Sequence, residues 1–527
     1  MMIRWMICSG LMVLLTGSVQ AQPIDWAFLK TRAEATDFEE TSRYEEVMAF
    51  TEVVASGADN IYRTVFGYTS EGRALPLVVV GDVGGASAEA VRASGKARVF
   101  VQANIHAGEV CGKEAMLMLL RSLAAGQHAA WTDSLVLLVA PIYNADGNER
   151  ISLTNRPGQN GPIGGMGQRP NAQGLDLNRD HMKVDSPEAR SLIGLFNAYD
   201  PHVVVDLHTT NGTRHAYHLT YSPPLHPNTP RGIDTFLRER WLPAITQRIK
   251  ERYDWDYYYY GNLPWRNSTA ERGWYTFDHR PRFNNNYAGL RNRLAILSEA
   301  YAYATFEERV LATFYFVEEV LEFAYHHAGE IQAITRQADA EDVVGQALAV
   351  RAQHARSSEP VEILMGEAEE VKHPFSGARL VRRLDVKRVE PMYEYGRFEP
   401  TETATAPRAY LVPPDQSITI DRLDAHGIDY RRLQADTTLR AEHFRLDSTE
   451  VAGREYQGHR AQTLFGAYEQ TDLTLPPGTL VVPVAQPLGR LAFSLLEPRS
   501  DDGLAAWGLI EAANADVYPV ARIPADR

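Results

Sequence analysis

The tetrapeptide His106-Ala107-Gly108-Glu109 and the distant His208 are the residues of this chain best suited to hold a metal ion. In an H-x-x-E string, a histidine ending a strand and a glutamate opening a helix lie one turn apart, so both side chains can converge on one ion. The same pair alone suits a capping role equally well; the second histidine tips the reading. Apolar runs precede both pieces, Ala97 to Ile105 (ARVFVQANI) and His202 to Leu207 (HVVVDL). Open α/β sheets place their ligands at such strand ends. Two imidazoles and one carboxylate leave a fourth tetrahedral position, the arrangement of a catalytic rather than a structural zinc. Asp206 shares the strand face of His208 and can hold its second ring nitrogen.

Other strings add chemistry. Asn144-Ala145-Asp146-Gly147 follows an apolar run and reads as a turn. Gly174-Leu175-Asp176-Leu177-Asn178-Arg179 offers a side-chain amide beside a planar fork of donors, suited to a carboxylate, and Arg169 lies upstream in the same loop. Glu299 closes the run Arg293 to Leu297. A carboxylate there is poorly solvated, which raises its pKa and makes it a usable general base. The alternative for Glu299 is an ion pair with Arg291 or Arg293.

These residues need a frame. Leu75 to Val80, Ala97 to Ile105, Ser134 to Ile142, Val203 to Leu207 and Leu294 to Leu297 are near-continuous apolar runs, the mark of strands covered on both faces in a parallel or mixed sheet. Helical patterns lie between and after them at Glu109 to Ala125, Ser186 to Tyr199, Gly232 to Arg252 and Phe306 to Ala328. The expected architecture is α/β, a three-layer αβα mixed-sheet domain over residues 22–329, with its core at about 40–325. Residues 22–70 read as mixed helix and loop, and Thr154 to Gly174 as a long ordered loop. From residue 330 to 527 the chain is more charged, with short β-like pieces such as Arg408 to Val412 and Thr479 to Val484, and a short helix from Asp421 closed by Gly427. That stretch reads as a mostly β accessory region.

The 527 residues carry a formal net charge of −14, which argues against nucleic acid as a partner. Arg4, the apolar Trp5 to Leu15 and Val19-Gln20-Ala21 read as a signal peptide over residues 1–21, cleaved after Ala21; the apolar run is short for a membrane span. The chain is therefore expected to be exported, periplasmic or secreted, with no stable membrane span after cleavage. Of two cysteines, Cys8 leaves with the signal, and Cys111 remains as a free thiol.

The order H-x-x-E, N-x-D-G, Arg169-to-Arg179 string, strand-His, strand-Glu resembles that of the zinc metallocarboxypeptidase family over roughly residues 40 to 325. The string Q-R-P-N-A-Q-G-L-D-L-N-R is most similar to the carboxypeptidase-E-like regulatory subfamily, although the C-terminal region has no obvious match to its small β domain. The resemblance implies a carboxypeptidase-like fold and one zinc held by His106, Glu109 and His208. It implies that Asn178 and Arg179 hold a substrate's C-terminal carboxylate, that Arg169 polarises the carbonyl, with Arg156 its competitor, and that Glu299 is general base and acid. Tyr275 is the expected substrate-closing tyrosine, with Tyr287 as the alternative. Peptides with a free C-terminal carboxylate are the implied partners. Ala145 stands where the family has proline, and Asp180-His181 replaces the residues usual after Asn-Arg. Two rival readings share the same residues: an N-acyl amino acid deacylase, and a catalytically silent peptide-binding relative. His181, His215, His218 and His226 are treated as non-ligands. Arg266, Arg272, Arg280 and Arg282 either favour acidic termini or pair with neighbouring carboxylates. Gln486 to Arg490 and Leu495 to Gly503 read as loop and interface structure.

Overall fold

The computed structural model describes residues 24–210, 212–510 and 516–526; the expected signal segment lies outside them. Among the described residues, nine strands precede residue 302: β1 (Ile61–Tyr68), β2 (Ala74–Val80), β3 (Ala97–Ala103), β4 (Leu135–Ala140), β5 (Val203–Thr210), β6 (Leu219–Ser222), β7 (Tyr257–Tyr259), β8 (Gly273–Tyr275) and β9 (Leu294–Tyr301). Eight of them form one mixed sheet in the order β1-β2-β4-β3-β5-β9-β6-β7. The central strands β4, β3, β5 and β9 run parallel, with β2 and β6 antiparallel beside them. Every residue of β3, β4 and β5 is buried, as their unbroken apolar sequences require of strands covered on both faces.

Helices supply the two covering layers. Phe100 of β3 meets Phe196 of helix Pro187–Tyr199 edge to face, while Ala103, of opposite parity, faces Gly112 of helix Cys111–Ala124. A Cβ on Gly112 would lie 2.7 Å from Leu207 Cβ, so this glycine lets the helix lie close on β5. Ser186 caps helix Pro187–Tyr199, accepting the Ala189 N–H, with Pro187 in the first turn as its sequence indicates.

The lead-in differs from expectation. Ile61–Tyr68 is strand β1, an edge pairing antiparallel with β2; half-exposed, it lacks the continuous apolar run that marks the inner strands. The Gly232-to-Arg252 helix is interrupted, with Leu237–Trp241 forming a wider π turn just before Pro243, which has no N–H to give to a regular ladder.

A helix, Ala328–Asp339, follows Phe306–His326, and the remaining chain is β-rich: β10 (Ala347–Ala355), β11 (Val361–Lys372), β12 (Arg379–Tyr395), β13 (Arg397–Thr405), β14 (Ala409–Val412), β15 (Arg431–Arg432), β16 (Thr437–Val451), β17 (Gln462–Leu475), β18 (Leu480–Pro483) and β19 (Ala521–Ile523). Strands β14 to β19 form a six-stranded sheet, and helix Ser417–His426 ends on Gly427 at φ 75°. The β-rich stretch is joined to the rest by strand pairing: β12 runs parallel to β8, and Met365 of β11 bridges His215. One hydrophobic core includes Val205 of β5 and Phe493 of the C-terminal stretch. Among the described residues, no helix is long and apolar enough to cross a membrane.

Candidate active site

His106 follows β3, His208 lies in β5 and Glu299 in β9, at neighbouring strand ends. In the parallel β5–β9 pair, His208 stands directly opposite Glu299, so register alone sets the two side by side. Glu109 enters from the turn after β3, its N–H bonded to the His106 carbonyl. One nitrogen of each ring and a Glu109 oxygen lie within 4.8 Å of one another. Glu109 Oε1 is 3.0 Å from His106 Nδ1, and Oε2 is 3.0 Å from His208 Nδ1.

The far sides of the rings are held as well. His208 Nε2 lies 2.8 Å from Asp206 Oδ2, as strand parity requires. His106 Nε2 lies 3.0 Å from Asp176 Oδ1, a partner that sequence reasoning missed although it lies inside the D-L-N-R string. Both Nδ1 atoms thus face the cluster while both Nε2 atoms face carboxylates, a donor set and outer shell that suit a divalent ion such as zinc. Burial works against the Glu109 and Asp176 charges, yet His106 with Arg156 holds Glu109, and His106 with Arg169 holds Asp176, well below the usual carboxylate range.

Glu299 is in a different state. Burial pushes its carboxyl up to about 8, against the pull of His208 and with a further push from Glu109. Its Oε2 has no hydrogen-bond partner among the described residues, and neither Arg291 nor Arg293 is used on it: Arg293 pairs with Asp200 and Asp339, and Arg291 bonds Asn197. Glu299 lines the cleft as a half-buried carboxyl, the kind of group that can carry a proton.

The two candidate arginines of the loop divide their contacts. Arg156 Nη2 is 2.7 Å from Glu109 Oε1 and donates to the Thr209 carbonyl. Arg169 donates to Asp176 Oδ2 from Nε at 3.0 Å and Nη2 at 2.8 Å, and its Nη1 stands 3.7 Å from Glu109. Arg169 is the more open of the two, and both line the cleft. Asn144, the cap of a short helix, ties this corner together, its Nδ2 donating to the carbonyls of Ile105 and Arg169. The N-A-D-G string is otherwise structural, with Asp146 buried against Arg73 and Thr69.

Asn178 and Arg179 lie in the same cleft. Asn178 Oδ1 accepts the Asn284 N–H. The Arg179 guanidinium lies 4.0 Å over the Phe283 ring, with Nη1 donating to the Asn178 carbonyl. Tyr275 also lines the cleft, stacked 4.0 Å from Tyr395, with its hydroxyl donating to the Glu271 carbonyl. Tyr287 is fully buried, its hydroxyl against His426, and is absent from the cleft lining. Tyr260 was missed: the last of the Tyr257-to-Tyr260 run, it lies just past β7 and lines the cleft, its hydroxyl accepting from Asn262 Nδ2. The strand-end logic that selects His208 and Glu299 also reaches Tyr260.

The cleft has a volume of about 1060 Å³. One wall comes from the β-rich stretch, through Met365, Gly366, Glu367 and Ala368 of β11 and Arg388 of β12. Of the arginines singled out in the 262–286 segment, only Arg266 lines it; Arg280 pairs with Asp278 and Asp501, Arg282 with Asp502, and Arg272 with Glu390. The Leu495-to-Gly503 string thus supplies the carboxylates that neutralise two of those arginines. His215 is buried off the cleft lining, and burial pushes its imidazole down to about 3, so it stays neutral.

The zinc carboxypeptidase family model, Peptidase M14, matches residues 47–211. Carboxypeptidase 2 of Trichophyton rubrum is 25% identical over 476 residues, covering 86% of this chain and 81% of the relative. Carboxypeptidase 2 of Trichophyton tonsurans is 24% identical over the same shares. Among solved structures, carboxypeptidase A from Helicoverpa armigera aligns over 55% of this chain and 75% of its own, at 17% identity and a TM-score of 0.41. The family model spans His106, Glu109 and His208, and over residues 47–211 the chain is similar to the zinc carboxypeptidase family.

Proposed function

We propose that this chain is a zinc-dependent exopeptidase that hydrolyses the last peptide bond of substrates with a free C-terminal carboxylate. The observation that carries the reading is the β5–β9 register, which puts Glu299 beside His208 in the cleft that Arg179 also lines. His106, Glu109 and His208 would hold the zinc, through two Nδ1 atoms and a carboxylate oxygen. The bound ion supplies a Lewis acid that polarises a carbonyl and lowers the pKa of water.

The chain's own residues do the rest. Glu299 takes a proton from the attacking water and passes it to the leaving amine, a role suited to a carboxyl whose proton affinity burial has raised. A nearby dication favours its ionised form. Arg169, the more open arginine, donates to the oxyanion that develops on the scissile carbonyl. Arg179 and Asn178 anchor the terminal carboxylate, which fixes the scissile bond at one residue from the chain end. Tyr275 covers the bound residue from the β8 side. Asp176 and Asp206 set the ring orientations of His106 and His208.

The cleft's volume of about 1060 Å³, with one wall built by β11, favours a peptide over a small acylated amino acid. Export through the N-terminal segment belongs to the same proposal, and so does the division of the chain at residue 330. The test is a panel of peptides matched except for a free or amidated C-terminus, together with acetyl- and succinyl-amino acids. Release of the C-terminal residue from the free acids, lost with chelator, supports the reading; hydrolysis of the acylated amino acids alone would replace it with the deacylase.

A further inference from the structure

Strands β16 and β17 are joined by a hairpin end whose tip is Tyr456-Gln457-Gly458-His459. Tyr456 and His459 exchange both backbone bonds, at 2.7 and 3.2 Å, and the two central residues have φ of 53° and 81°. This is the geometry of a type I′ turn, which wants asparagine or glycine first. Gln457 occupies that left-handed position at a local cost of roughly 1 kcal/mol. A strained residue held in place invites a functional reason.

The turn is docked on the segment that carries the carboxylate clamp. Gln457 Oε1 accepts the Asp176 N–H at 2.7 Å. The Tyr456 hydroxyl accepts from Arg179 Nε at 3.1 Å. His459 Nε2 lies 2.7 Å from Asp185 Oδ2. Tyr456 is itself braced, stacked on Trp507 with the Arg282 guanidinium over both rings. Arg179 is therefore fixed on several sides: Tyr456 at Nε, the Asn178 carbonyl at Nη1 and the Phe283 face beneath. Asp176 Oδ2 stands 3.9 Å from Nη1 as well, and among the described residues the Nη2 edge is what remains for a ligand.

We propose that the 456–459 turn is part of the carboxylate-recognition device. Tyr456 is a positioning residue that sets the plane of the Arg179 guanidinium, and Gln457 holds the strand of chain at Asp176 from which that arginine projects. The C-terminal β-rich stretch thereby sets the preference for a free carboxylate over an uncharged chain end. This rests on the reading of Arg179 as the anchor.

Two variants test it. Tyr456→Phe keeps the ring and its stacking and removes only the acceptor. Gln457→Gly relieves the left-handed backbone and removes only the Asp176 contact. For a free-acid peptide, both variants should raise KM roughly five- to tenfold with kcat within about twofold, the fold-change expected for the loss of one hydrogen bond. For the matched amide, kcat/KM should not move, so the acid-over-amide ratio falls by the same factor, while the Tm of Gln457→Gly stays level or rises. Equal losses on acid and amide, or a ratio unchanged in both variants, would overturn the inference and leave the exopeptidase reading standing. A wild-type protein with no acid-over-amide preference would overturn both.

Discussion

At the residue scale, the site separates two carboxylates by environment. Glu109 is held ionised by His106 and Arg156, whereas Glu299, a strand away, is pushed toward its neutral form by burial. One suits a ligand and the other a proton carrier. Glu299→Gln should therefore keep stoichiometric zinc and lose at least about a thousandfold in kcat; a variant turning over at a tenth of the wild-type rate removes Glu299 from the mechanism. Arg179→Ala should cost about 10- to 100-fold in kcat/KM on free acids, mostly through KM, and little on amides. His106, His208 and Glu299 stand out in the sequence because each closes an apolar run, and Glu109 because it lies three residues after His106. Asp176, Tyr456 and Gln457 were not, because their roles come from contacts across the fold, and no local pattern encodes those.

At the element scale, strand register and close packing build the cleft. The β5–β9 pairing aligns His208 with Glu299, and Gly112 lets the helix after the H-x-x-E turn lie on β5. The inner strands could be read from composition because both their faces are buried; β1 could not, since an edge strand carries a mixed pattern. The β-rich stretch was legible as strands, but its place was not: nothing in the sequence of β11 says that it walls the cleft. That wall depends on a close approach at Gly366, where a Cβ would lie 2.6 Å from the His215 carbonyl oxygen. Gly366→Ala should force β11 away from His215, lowering stability by about 1–3 kcal/mol in denaturant unfolding and raising KM for long peptides more than for dipeptides. Unchanged stability would mean that β11 yields freely and is not a fixed wall.

At the scale of the whole molecule, one core runs from the central sheet into the C-terminal stretch, and the β11 wall packs in a smaller cluster on Tyr217 and Trp274, so the cleft and its distant wall should unfold together. Burial holds several imidazoles neutral: His202, His215, His226 and His426 are pushed down to about 3 and His218 to about 4. A histidine whose folded pKa lies below its unfolded value gives stability that is complete above about 6.5 and lost as pH falls toward the folded value. Asp502, raised to about 6, Glu299, raised to about 8, and Glu188, Glu394 and Glu497, also pushed up by burial, act in the opposite sense, but the histidines, with His181 and His354 also pushed down, outnumber them. Each net proton is worth roughly 1 kcal/mol per pH unit against a total of about 5–15. Circular dichroism should therefore find cooperative unfolding between about pH 6 and pH 4; a fold equally stable at pH 7 and pH 4 would contradict this reading of the core. The central claim, a metal-dependent exopeptidase, is tested most directly by mass spectrometry of a free-acid peptide and its amide incubated with the purified protein, before and after chelation and after zinc is restored. The account predicts loss of a single C-terminal residue from the free acid in strong preference to the amide, abolished by chelation and recovered with zinc; internal cleavage, equal action on the amide, or activity indifferent to chelator would contradict it.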